Sequence, residues 1–237
     1  MFKSLGICAA ALVLAACGAL KPQQAAPPVP AETPKAGAAK IQGKTYRIDA
    51  AQSELRVLVR RAGPLAHFGH NHVMVNRALS GAVDVAEAPG GSAFWLDAPA
   101  ADFAVDDARA RAEEGPDFAA DVPEEAKSGT LHNMLSTAVL DAAEFPQIVV
   151  KSVAVVSAPD AAAAGDFIAT VAVSIAGHEA RIDVPFKLQS DSSRLSATGS
   201  FELRQTDLGL TPYSLMLGAL QVQDELTIKF KIIALPV

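Results

Sequence analysis

The chain has 237 residues, enough for one generous domain or a domain with appendages; half are hydrophobic and 19% charged, so it is no disordered polymer. Its net charge of -6, without clustered Lys and Arg, argues against a nucleic-acid partner, because phosphates must be met by cations. No Walker-type or G-x-G-x-x-G loop is present, so nucleotide binding has no support.

The N-terminus, "MFKSLGICAAALVLAACGALK", carries Lys3 and then an apolar run from Leu5 to Ala16. The run is short for a permanent span and reads as the apolar region of a signal peptide. It ends in Leu14-Ala15-Ala16-Cys17, which resembles the bacterial lipobox. Small residues at 15 and 16 suit a narrow peptidase site, and Cys17 offers a thiol for acylation. The competing reading is an ordinary signal peptide with an incidental cysteine. Residues 1–16 are therefore expected to be a lipoprotein signal peptide and Cys17 a lipid anchor, with two or more chains needed for stable attachment. Cys8 falls within the discarded segment, which leaves no free thiol for disulfides, metal sites or nucleophiles.

From Gly18 to about Lys44 the sequence is Pro/Ala-rich without apolar periodicity, as suits an extended tether, and the folded domain is expected over 45–237. Alternation with period two then dominates. Leu55, Val57 and Val59 share a face, as do Phe167, Ala169, Val171, Val173 and Ile175. So do Ile182, Val184, Phe186 and Leu188, and again Leu226, Ile228, Phe230 and Ile232. Weaker runs lie at Leu79–Val85, Ala93–Ala98, Gln147–Val156 and Leu195–Leu203. These read as half-buried strands. Turns such as Ala88-Pro89-Gly90-Gly91 and Ser190-Asp191-Ser192-Ser193 join them. About eight such strands predict an all-β antiparallel sheet, closed into a barrel or folded into a sandwich.

Residues 107–144 break the pattern. Helix formers and the spacing of Leu131, Met134, Leu135 and Val139 predict a helical excursion between two strands. Pro123 stands where a first turn would start, followed by Glu124 and Glu125, and Glu144-Phe145-Pro146 ends the segment. Glu113, Glu114, Glu124 and Glu125 read as a solvated face, and Arg204 with Asp207 as a structural pair.

Several ordered pieces resemble the YceI-like family of lipocalin-like, polyisoprenoid-binding proteins. They are "YRIDAAQSELRVLVRR" with Asp49 and Ser53, "HFGHNHVMVNRALSGAVDV" with His67, Gly69 and Gly81, and "MLSTAVLDAAEFPQIVVKS" with Leu140, Phe145, Pro146 and Ile148. "VAVSIAGHEARIDVPFKL" around Gly177, "ATGSFELRQTDLGL" with Arg204, Asp207 and Gly209, and "VQDELTIKFKI" follow in order. The resemblance implies a single lipocalin-like antiparallel barrel around an apolar tunnel that takes a long isoprenoid or similar lipid, without catalysis. Phe103, Phe145, Phe167, Phe186 and Phe201 are the candidate tunnel contacts, and His67, matching the family's common histidine, a polar contact at the mouth. A stripe of Val, Ile and Phe is also what any packed core presents. The lipobox, the long acidic stretch Glu113–Glu125 and the histidine cluster depart from the family's pattern.

That cluster, His67, His70 and His72 in "HFGHNHVM", holds three of the five histidines. H-x-H spacing on an extended segment puts His70 and His72 on one face, which suits two imidazoles on a Zn or Cu ion, with His67 as a third ligand and His132 or an acid completing the set. The alternative makes Gly69 and Asn71 turn residues and the histidines caps at a barrel mouth. His178, after Gly177 in a hairpin turn, receives no role. No G-x-S-x-G elbow gives Ser-His-Asp chemistry a context, and what the resemblance implies is a binding protein, not an enzyme. The expectation is thus a lipoprotein of the bacterial cell envelope, anchored by acylation at the outer membrane on its periplasmic or surface face, binding an isoprenoid-like lipid; a homodimer is left open. A histidine-based metalloprotein is the first alternative and a surface or adhesion module the second.

Overall fold

Period-two strands need partners on both edges, and here the sheet supplies them by closing on itself. The computed structural model describes residues 43–159 and 166–237. Cys17 and the segments read as signal peptide and tether lie outside the described residues as far as residue 42, and Lys44, the end of the expected tether, already opens the first strand.

The strands are β1 (Lys44–Ile48), β2 (Glu54–Ala62), β3 (His72–Asn76), β4 (Ser80–Val85), β5 (Ala93–Pro99) and β6 (Phe103–Val105). Helices α1 (Ala108–Glu113) and α2 (Glu124–Leu135) follow. Next come β7 (Gln147–Ser157), β8 (Asp166–Ile175), β9 (His178–Ser190), β10 (Leu195–Arg204), β11 (Ser214–Leu215) and β12 (Leu220–Pro236).

Three short pairs each act as one interrupted strand. β1 and β2 both run antiparallel to β12, β4 pairs with β1 while β3 pairs with β2, and β5 pairs with β4 while β6 pairs with β3. β5 continues through β7, β8, β9 and β10 to β12, which pairs back with β1 and β2. The result is a closed, eight-stranded, antiparallel up-and-down barrel, and closure leaves no long edge exposed.

Chemistry explains the interruptions. Asp49 accepts from the Ala51 N–H and so caps a single turn between β1 and β2, and Asn76 does the same for the Ala78 N–H between β3 and β4. Gly177 (φ +76°) makes the tight β8–β9 turn, where the Phe145 ring comes so close that a Cβ would meet it at 2.8 Å.

The helical excursion leaves β6 and returns to β7 at one end of the barrel. The helix α2 follows Pro123, as its sequence predicts, and the chain resumes its strand pattern just after Pro146. On the barrel's outside, α1 and Phe118 cover Leu58, Val73 and Val75, which explains why every residue of β3 is buried. The acidic stretch is not simply a solvated face. The Glu114 side chain is 2% exposed and holds both Arg56 Nη1 at 2.7 Å and Lys229 Nζ at 2.5 Å. Arg56 also pairs with Glu113 at 2.9 Å and with Glu54. The excursion thus brings its own carboxylates to the cations that β2 and β12 present outward. Arg204 and Asp207 form an exposed pair at 2.7 Å.

Candidate functional site

The inward-facing positions of the strands do not meet in a solid core. They line an internal cavity of about 710 Å³ that runs from residues at one end of the barrel, such as Val85 and Leu195, to His70 and Gln221 at the other. That volume lies within the ordinary range for small-molecule sites, roughly 300–1,000 Å³. Each alternating set read from the sequence contributes its whole stripe: Leu55, Val57 and Val59; Phe167 to Ile175; Ile182 to Leu188; Leu226 to Ile232. A single Leu, Val or Ile in these stripes is therefore at once barrel core and cavity wall.

Among the aromatic candidates, Phe103, Phe167, Phe186 and Phe201 line the cavity. Phe167 and Phe186 stack across β8 and β9 with ring centroids 5.6 Å apart. Phe145 does not line it, because its ring is laid over Gly177 at the β8–β9 turn.

Polar groups concentrate at the end that bears the histidine segment. One face of α2 covers that end with Ala126, Thr130, Asn133 and Met134, at helical spacing, and Tyr213, Gln205 and Gln221 join them. Two loops flank the mouth, tied by the Leu65 N–H donating to the Ala219 carbonyl at 2.8 Å. They present Phe68, Met216 and Leu217 to solvent, and the last two hold left-handed backbone (φ +50° and +55°).

The three histidines have three different fates. His67 sits in a short helical turn, exposed, its ring 4.0 Å from that of Phe68, and it does not reach the cavity. The turn at Gly69 directs it outward, away from the mouth contact its family match implies. His70 and His72 both face the cavity, as their spacing requires, with centroids 6.1 Å apart. The three are not gathered for coordination, and among the described residues no group of three or more His, Cys, Asp or Glu side chains is placed to hold a metal. His132 is exposed on α2, and His178 packs over Gly209.

His72 is the buried member. Its Nδ1 lies 2.6 Å from Asp106 Oδ2, and its Nε2 faces the cavity side, 3.4 Å from Thr130 Oγ1. Asp106 is held from three directions: it also accepts from the Val73 N–H at 2.9 Å and from Arg111. Burial works to raise the Asp106 pKa, but the hydrogen bond from His72, the Val73 N–H and Arg111 outweigh it, so its carboxyl sits below the usual value. Arg111 further donates to the carbonyls of Asn71 at 2.7 Å and Ala120 at 2.8 Å. Asn71 accepts from the Arg61 N–H and donates to the Asp117 carbonyl, bracing the histidine loop against the excursion. In "HNH" the asparagine is thus the brace and the second histidine the inward group. Asp106 and Arg111 escaped the sequence reading. The available signal was "VDDARAR": an aspartate at a strand end, a second capping α1 through the Ala110 N–H, and an arginine one turn on.

A closed antiparallel barrel with an apolar interior and most of its polar lining at one end is a lipocalin-like barrel built around a cavity. Residues 46–234 match the model of the YceI-like domain, and the chain belongs to that family. Among solved structures it is similar to Burkholderia cenocepacia BcnA, at 15% identity and TM-score 0.56, over 78% of this chain and 98% of that one. It is also similar to a polyisoprenoid binding domain from Saccharophagus degradans implicated in plant cell wall breakdown, at 13% identity and TM-score 0.52, over 81% and 98%. These likenesses are of fold. No curated protein sequence matches the chain.

Proposed function

We propose that this protein binds a long apolar molecule, an isoprenoid lipid being the leading class, and sequesters or carries it without chemical change in the bacterial cell envelope. One observation carries the reading: the inward stripe of every long strand opens on a single apolar cavity of about 710 Å³ running along the barrel. Each CH₂ transferred from water into such a site contributes about 0.8 kcal/mol, so a long tail needs few polar contacts. The Saccharophagus domain, described as polyisoprenoid binding, supports the ligand class. The sequence Leu14-Ala15-Ala16-Cys17 supports acylation at Cys17 and attachment to a membrane, from which such a ligand would come.

Mass spectrometry of organic extracts of the purified protein tests the reading. A co-purifying lipid, or uptake of added isoprenoid at one per chain, is the expected result. A protein that carries nothing and takes up nothing overturns it.

A further inference from the structure

Building on the lipid-binding reading, we infer that His72 is a recognition group for the ligand's polar end and that this end carries a hydroxyl, which donates to His72 Nε2. An apolar cavity does not by itself fix which way round a ligand lies. Here the two ends differ: His70, His72, Thr130, Asn133 and Gln221, with Arg61, belong to one end, whereas Glu87 and Ser92 beside Val85 are the polar side chains of the other. Among them His72 is 9% exposed and held by a neighbour whose side chain is fully buried, Asp106 at 0%.

The hydrogen bonding fixes which nitrogen of the neutral His72 ring carries the proton. Asp106 is an acceptor toward Val73 N–H and Arg111, so it takes the Nδ1 proton of His72 as well. In the neutral ring Nε2 is then an acceptor. Arg111 balances Asp106, so with a neutral His72 ring these three groups bring no net charge to the cavity wall. Arg61 also lines this end, with its guanidinium turned to donate to the Gly69 carbonyl at 2.6 Å. Thr130 Oγ1, at 3.4 Å, is beyond the ordinary reach of a hydroxyl donor to Nε2, leaving that lone pair for a better-placed one. A hydroxyl between the two would donate to Nε2 and accept from Thr130. The ligand class is an alcohol-ended, long-chain lipid, seated head toward α2 and tail toward the opposite end of the barrel.

The probes are geranylgeraniol and geranylgeranyl acetate, which share a chain and differ in whether the end can donate. With the full chain, the alcohol is expected to bind about tenfold more tightly, the effect of one neutral hydrogen bond made in an apolar site. In His72→Leu that preference disappears while the acetate binds as before. If His72→Leu does not fold, the ¹⁵N resonance of His72 Nε2 in the unmodified protein gives the answer, since it moves on adding the alcohol and not the acetate. Equal affinities, a preference that survives His72→Leu, or an Nε2 resonance indifferent to the alcohol overturns the inference while lipid binding stands. Failure of both probes to bind overturns lipid binding and the inference together.

Discussion

Nδ1 of His72 and Oδ2 of Asp106 lie 2.6 Å apart across 34 residues of sequence, one at the start of β3 and the other just beyond β6. The pair ties the end of one interrupted strand to the next, and Arg111 ties both to the excursion. Asp106 holds this place in left-handed backbone (φ +58°), a conformation aspartate tolerates better than most residues.

Asp106→Asn is expected to destabilise the fold by roughly 3 kcal/mol, because it leaves the Arg111 charge buried without its counter-charge. The urea midpoint reads the loss. Adding Arg111→Met should recover part of it, since removing both charges is less costly than stranding one. Strict additivity of the two substitutions would show that the pair is not energetically linked.

Stability should fall with acid and not with mild base. Burial pushes the Glu114 pKa up, and the hydrogen bonds and charges of Lys229 and Arg56 more than reverse this, so it sits below its ordinary 4.5. Asp106 sits below its ordinary 3.8. A carboxyl depressed in the fold contributes its full stabilisation above the unfolded value and loses it as pH drops toward the folded one. Unfolding free energy from these groups is therefore level from neutrality to about pH 5 and declines beneath that. Glu114→Gln should lower stability at pH 7 and flatten the acid limb. An unchanged acid limb in that variant would remove Glu114 from the account.

Gly177→Val should cost roughly 2 kcal/mol, since a β-branched residue is strained at φ +76° and its Cβ would press on the Phe145 ring. Phe145→Ala would relieve the clash and leave the backbone strain. The double variant read by urea midpoint separates the two terms.

Cys17→Ser tests the anchor independently of the barrel. The variant should leave the membrane fraction for the soluble one, and precursor processing should cease to respond to globomycin. Retention of the variant in the membrane fraction would dismiss acylation at this residue.

What the sequence made legible is what is local. Alternation such as Ile182, Val184, Phe186 and Leu188 is set by the two-residue repeat of a strand, so the inward stripes were readable one strand at a time. Whether those stripes meet or stand apart depends on barrel radius, which no single strand encodes, and so core and cavity wall could not be separated. The histidines show the same division. H-x-H spacing placed His70 and His72 on one face correctly, whereas the outward turn of His67 and the capture of His72 by Asp106 depend on pairings between distant segments. Glu114 looked solvated for the same reason, its partners Arg56 and Lys229 being 58 and 115 residues away.

Ala169→Phe asks whether the cavity is the site at all. Ala169 is 1% exposed, sits near the middle of β8 between Val155 and Val184, and lines the cavity. Enlarging a residue in a filled core costs about 1–3 kcal/mol through strain, but here the ring has empty space to enter. The variant should therefore stay within about 1 kcal/mol of the parent in urea, while its uptake of a long isoprenoid falls by about tenfold or more as the ring blocks the tail's path. Phe201→Ala, which widens the same cavity, should retain uptake and lose stability, by about 3 kcal/mol for a large-to-small change. Undiminished uptake by a folded Ala169→Phe would place the lipid outside the barrel.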